Sequence, residues 1–143
     1  MNWKNEAIDR LHSYSAMVRA TENLPRELDR LEKETPVLRG HAMEQPRVHS
    51  GYSRGEDGLL CNLIRREELT RALENARIWV DTTDHALSVL TKEEKTVLLR
   101  MYVQPEKGAV GRLCEELCVE QSSVYRKRDN ALYRFTMALY GAS

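Results

Sequence analysis

Apolar residues recur at helical spacing along nearly the whole chain, and the interruptions in that pattern divide it into segments. Trp3, Ala7, Leu11, Tyr14, Val18 and Thr21 step by four and three, approximating a short heptad seam. Pro25 interrupts the series before Leu28 and Leu31 continue it, and Asn23 is placed to cap a second helix with Pro25 in its first turn. Asn2–Glu34 is therefore predicted as helix, broken or bent once. Asp57–Val89 is predicted as one long helix. Its broad apolar face takes in Leu60, Leu63, Ile64, Leu69, Leu73, Ala76, Val80, Leu87 and Leu90, with Trp79 beside it. Mixed charges in RREELTR and LENAR mark the solvent side. These two helices are expected to pair as an antiparallel hairpin. Between them Thr35–Glu56 has two prolines, three glycines and little periodicity, the composition of an exposed loop. Arg39, His41, Arg47, His49 and Arg54 make that loop basic. It could graze a phosphate backbone, but solvation alone accounts for such a composition.

The last segment, Thr91–Gly141, carries the most specific pattern. Thr91 and Glu94 form a capping box that starts a helix bearing Val97, Leu98, Met101 and Tyr102. Pro105 and Gly108 end it, since proline lacks the N–H and disfavours helical backbone before it. A short helix follows with Val110, Leu113, Cys114 and Leu117 on one face. Cys118–Glu120 leaves room only for a tight turn. A third helix then carries Val124, Ala131, Leu132, Phe135 and Leu139 inward. At ~100° per residue, Arg128 falls on the side of Val124, Ala131 and Phe135. Ser122, Arg126, Asp129 and Tyr133 point away, flanked by Gln121, Ser123, Tyr125 and Lys127.

That outward row has the chemistry of a DNA-reading helix. Arg and Gln can form paired hydrogen bonds with base edges in the major groove, while Ser, Tyr and Lys can hold phosphates. Gln121, Ser122, Tyr125 and Arg126 are the candidates for bases or nearby phosphates. Ser123, Lys127 and Arg134 are the candidates for positioning the backbone. A solvated polar face is the plainer alternative, and the preceding turn and short helix favour the DNA reading.

The run from Leu117 to Leu132, LCVEQSSVYRKRDNAL, resembles the helix-turn-helix in the fourth region of bacterial sigma factors. The resemblance implies promoter contacts at Gln121, Ser122, Tyr125 and Arg126, and covers about the last third of the chain. Together with WKNEAI near the start, LIRREEL in the middle and FTMALYG at the end, the chain is similar to small phage and prophage regulators of late genes, of the autolysin-regulator type. Three positions depart from the sigma pattern. Cys118 stands where the turn usually has glycine, Glu120 occupies the N-cap where Ser or Thr caps better, and Lys127 replaces an aliphatic residue.

Composition narrows the partners. The 143 residues carry 22 basic and 22 acidic side chains, for a formal net charge of zero, which does not suit indiscriminate coating of nucleic acid. The charge is unevenly placed: residues 91–143 hold nine Lys/Arg against seven Asp/Glu, so residues 1–90 are net acidic by two. Apolar residues at 41% and charged residues at 31% fit a helix-rich protein with one good core or two small ones. No apolar run approaches a membrane span, and no leader is evident, so a cytoplasmic protein is expected, with no membrane association. Cys61, Cys114 and Cys118 do not make a disulfide framework. Cys114 and Cys118 lack the two further ligands that zinc requires, so no metal is expected. No cofactor is expected either. His12, His41, His49 and His85 are scattered, and no nucleotide-binding or hydrolase motif is present, so an enzyme is not expected.

The expectation is an all-α protein: a helical hairpin over 1–90 with its loop at 35–56, and a three-helix DNA-binding domain of helix-turn-helix type over 91–143. The heptad-like seam near the start reads equally as a stripe facing the protein's own core and as a homodimer surface. The expected function is transcriptional regulation of phage or prophage genes by binding double-stranded DNA. The chain is too short to include a promoter-melting region, so by resemblance a partial sigma-like factor that also touches RNA polymerase is one version. A dimer on a two-fold operator is the other. A phage DNA-packaging or replication accessory, and a protein-interaction module that binds no DNA, are the remaining alternatives.

Overall fold

The computed structural model of the chain describes residues 2–44 and 54–141, and the side chains of 2–34 and 57–141. Every regular element among the described residues is helical: α1 (Trp3–Glu44), α2 (Arg54–Ser88), α3 (Lys92–Leu98), α4 (Ala109–Leu117) and α5 (Gln121–Leu139). A π-helical turn, Leu99–Val103, extends α3, and the Gln104 N–H closes on the Leu99 carbonyl at 2.9 Å.

The α1 helix starts where Asn2 Oδ1 accepts the Lys4 N–H at 3.1 Å, covering one of the donors that a first turn leaves unpaired. Of the break or bend expected at Pro25, the break is absent: the helix continues through Pro25 to Glu44. A proline inside a helix costs about 3 kcal/mol through its missing donor and its ring. Opposing that cost are the buried Leu31, the half-buried Leu24 and Leu28, and the Arg30–Glu27, Arg30–Glu34 and Lys33–Asp29 pairs one turn apart. The helix also runs through residues 35–44, where the sequence pattern predicted loop, and α2 begins at Arg54. The rest of the predicted loop, and all of its basic side chains, lie outside the described residues and side chains.

The chain forms two compact units: residues 1–18 with 78–143, and residues 19–77. This division differs from a boundary near residue 90, because the start of α1 and the end of α2 contribute to the core that the C-terminal helices build. In the larger unit, Ala7, Leu11, Ala86, Leu87, Leu98, Leu132 and Phe135 anchor one buried cluster. Val97, Leu113 and Val124 form a second, one residue from each of α3, α4 and α5. Buried Thr83 donates to the Trp79 carbonyl at 2.8 Å and accepts from Arg10 Nε at 2.8 Å. Tyr14 donates to Asp84, and burial together with that bond pushes its phenol up to about 12.

In the smaller unit the buried side chains among the described residues are Leu31, Leu73, Ala76 and Asn62, the last donating to the Leu31 carbonyl at 3.2 Å. Leu60, Leu63 and Ile64, expected to share the apolar face of α2, are instead 58%, 45% and 48% exposed. The cause is phase. At ~100° per residue, Leu60, Leu63 and Ile64 fall on the side of the helix opposite Leu69, Leu73 and Ala76. No single face can bury both sets.

Among the described residues, no helix is long and apolar enough to cross a membrane.

Candidate nucleic-acid interface

The candidate surface is built from α3 upward. Thr91 Oγ1 accepts the Glu94 N–H at 3.2 Å and Glu94 Oε1 accepts the Thr91 N–H at 3.1 Å, so both halves of the predicted capping box are made. The same Glu94 carboxylate pairs with Arg134 of α5, whose other amino group donates to the Val89 carbonyl at 3.0 Å. Lys127, one α5 turn before Asn130 and Ala131, pairs with Glu93 at 2.8 Å. Two carboxylates in the first turn of α3 thus fasten two cations of α5.

The short α4 helix is held through fully buried Leu113, with Val110, Cys114 and Leu117 packed around that second cluster, the face that its spacing predicts. Cys118 ends it in the left-handed region, φ 56° and ψ 45°, with the Val119 N–H bonding the Cys114 carbonyl at 3.1 Å. Glycine would adopt this conformation without the Cβ clash that costs a non-glycine residue about 1 kcal/mol. Glu120 then takes extended backbone at the start of α5 and makes no side-chain cap; its carbonyl accepts the Ser123 and Val124 N–H groups at 3.0 and 3.1 Å.

Burial along α5 follows the predicted wheel. Val124, Ala131, Leu132 and Phe135 are fully buried, and Thr136 is buried with them. Gln121, Ser122 and Arg126 are exposed, while Ser123, Tyr125 and Lys127 are half-buried on the flanks. Gln121 Nε2 lies 3.4 Å from the Tyr125 hydroxyl as a donor. The Arg128 guanidinium lies 4.9 Å from the centre of the Tyr125 ring and pairs with Asp129 at 2.9 Å. Lys4, near the start of α1, reaches the same Asp129 oxygen at 3.0 Å. That bond, with Arg128 alongside, holds the Asp129 carboxyl below its ordinary range. These contacts run in sequence from Lys4 to Asp129 to Arg128 to Tyr125 to Gln121, so two members of the outward row, Tyr125 and Gln121, are in contact with their neighbours.

The seven candidates therefore divide. Gln121, Ser122, Tyr125 and Arg126 come together on the outer side of the first two turns of α5, with Ser123 at their edge. Lys127 and Arg134 point to α3 and its carboxylates. Of the four α5 cations, Arg126 alone has no hydrogen bond or ion pair among the described residues. Sequence reasoning missed Lys4 and the orienting part of Arg128 and Asp129. The Lys4–Asp129 pair spans 125 positions, and no local pattern signals it.

Among the described residues, no three His, Cys, Asp or Glu side chains converge to hold a metal ion. No protein-family model, curated protein or solved structure matches the chain.

Proposed function

We propose that the chain is a sequence-specific DNA-binding regulator of phage or prophage transcription, sigma-like in its last fifty or so residues. In this reading α4, the Cys118–Glu120 turn and α5 act as a helix-turn-helix, and α5 enters the major groove with its N-terminal half. Gln121 and Arg126 read base edges. Ser122 and Tyr125 contact bases or neighbouring phosphates, and Ser123 helps set the backbone register. Lys127 and Arg134 mainly brace α5 against α3, and Lys127 reaches a phosphate only by leaving Glu93. The observation that carries the reading is the exposed Arg126, without an ion pair among the described residues, set among hydrogen-bonding side chains on a helix that buries Val124, Ala131 and Phe135 on its opposite side.

The helices of residues 1–90 act as a hairpin that supports self-association, with Leu60, Leu63 and Ile64 as the apolar surface for it. A homodimer reads a two-fold operator with half-sites about one helical turn apart, whereas a partial sigma-like factor touching RNA polymerase leaves an asymmetric footprint.

One observation favours a second reading, in which this face of α5 docks on protein and no DNA is bound. Three of the four α5 cations are already paired within the chain, and Glu115 and Glu120, close in sequence to the start of α5, are exposed, so little positive charge remains for phosphates.

Selection of bound duplexes from a random DNA pool separates the two. The DNA reading expects an enriched sequence, binding that weakens with salt, and a loss of about 1–3 kcal/mol in specific binding for Arg126→Ala. Absence of salt-sensitive binding by the unmodified protein removes that reading.

A further inference from the structure

Away from the outward row of α5, the larger unit has a cleft of about 410 Å³ between α1, the end of α2 and the end of α5. Its size falls within the ~300–1,000 Å³ typical of small-molecule sites. Trp3, Trp79, Tyr140 and Leu139 supply apolar lining, and Glu6, Asp9 and Arg10 supply the charge. Helical steps of three and four along α1 bring Trp3, Glu6 and Arg10 to the same side.

The charged groups are not equivalent. Arg10 is turned into its own fold: Nε bonds Thr83 Oγ1 at 2.8 Å, Nη2 bonds the Trp79 carbonyl at 3.2 Å, and the guanidinium lies 4.5 Å from the centre of the Trp79 ring. Glu6 accepts the Tyr140 hydroxyl through Oε2 at 3.0 Å, leaving Oε1 without a partner among the described residues. Asp9 has no hydrogen bond or ion pair among the described residues. Two carboxylates with free oxygens, opposed by one guanidinium already engaged, leave the lining net negative. Aromatic faces also attract cations.

We propose that this cleft binds a small organic cation, an ammonium group on a flat apolar body. The ammonium sits on Asp9 and the free oxygen of Glu6, and the body lies against Trp3, Trp79 and Tyr140. An anion of the same shape meets two carboxylates. A neutral ligand leaves those carboxylates without a charge partner. The assignment does not depend on DNA binding.

The test uses a property of the chain itself. Trp3 and Trp79 are its only two tryptophans, so indole fluorescence reports on the cleft. The full-length protein is titrated with 2-phenylethylammonium, 2-phenylethanol and 3-phenylpropionate. The expected result is a saturable change with the ammonium, binding at least about 10-fold weaker for the alcohol, and no saturable change with the carboxylate. Asp9→Asn alters an exposed, unpaired side chain, so thermal unfolding is unchanged while the preference for the ammonium falls, and adding Glu6→Gln abolishes it. No saturable change with the ammonium overturns the proposal. So does an equal response to all three probes, or a preference for the ammonium that survives the double substitution.

Discussion

The two units of the chain solve the burial problem with unequal means. The larger draws on α1, α2, α3, α4 and α5 and closes side chains as large as Phe135, Leu11, Leu98 and Leu132 entirely away from water. Among the described residues, the smaller draws on stretches of α1 and α2, and buries Leu31, Leu73, Ala76 and one asparagine while leaving Leu60, Leu63 and Ile64 exposed. Two helices can cover only the stripe each presents to the other, whereas several helices surround an interior. The lesson is that a long helix in this chain is stable where other helices enclose it, and elsewhere depends on local propensity, same-helix ion pairs and any partner that covers its outer side.

The largest expected effect contrasts the two interiors directly. Phe135→Ala should cost about 3–5 kcal/mol in urea unfolding, by transfer and cavity terms together. Leu73→Ala, in the smaller unit, should cost about 2 kcal/mol, at the bottom of the range for such truncations because a thin interior relaxes easily. Equal losses would break the contrast.

Next comes the clamp between α3 and α5. Glu94→Ala removes half of a capping box and the partner of Arg134 at once, and should cost about 2 kcal/mol in the same measurement. The side chain is only 11% exposed and Arg134 is 43% exposed, so the loss stays below that for a fully buried ion pair. Hydrogen exchange should locate the loosening in α3 and α5. Protection lost equally throughout α1 would mean that the larger unit does not hold together in the way described.

The smallest expected effect is on the outer side of α2. Leu63→Lys should change unfolding free energy by no more than about 0.5 kcal/mol at low protein concentration, because the leucine is already wet. On the self-association proposal, light scattering should show the unmodified chain as a dimer and the variant as a monomer. A monomeric unmodified chain would rule out that use of the surface.

Local features were legible in the sequence and long-range ones were not. The Thr91–Glu94 box, the boundaries of α4 and α5 and the inward face of α5 depend on spacing within a few residues, and each is found where the pattern put it. The expected turn at Cys118–Glu120 is there too, with Cys118 in the glycine-favoured conformation. At Pro25 the pattern left a break or a bend open, and the break did not occur because the turns that follow carry the helix on. The face of α2 misled because Leu60, Leu63 and Ile64 are apolar like Leu69 and Leu73 but half a turn out of phase with them. For the outward row, helical spacing told which of its side chains leave the core. It could not tell that Lys127 and Arg134 would find Glu93 and Glu94, 34 and 40 positions away.

The pairing of residues 3–18 with the helix that ends at Leu139 has a consequence for how the protein is made. A ribosome releases Ala7 and Leu11 more than a hundred residues before the Leu132 and Phe135 that share their cluster. During that interval the early side chains have no complete interior to enter, and synthesis at ~5–20 residues per second makes the wait several seconds or longer. A nascent or truncated chain that stops short of α5 should therefore be a preferred client of chaperones and proteases, and arrival of the last helix should end that exposure in one cooperative step.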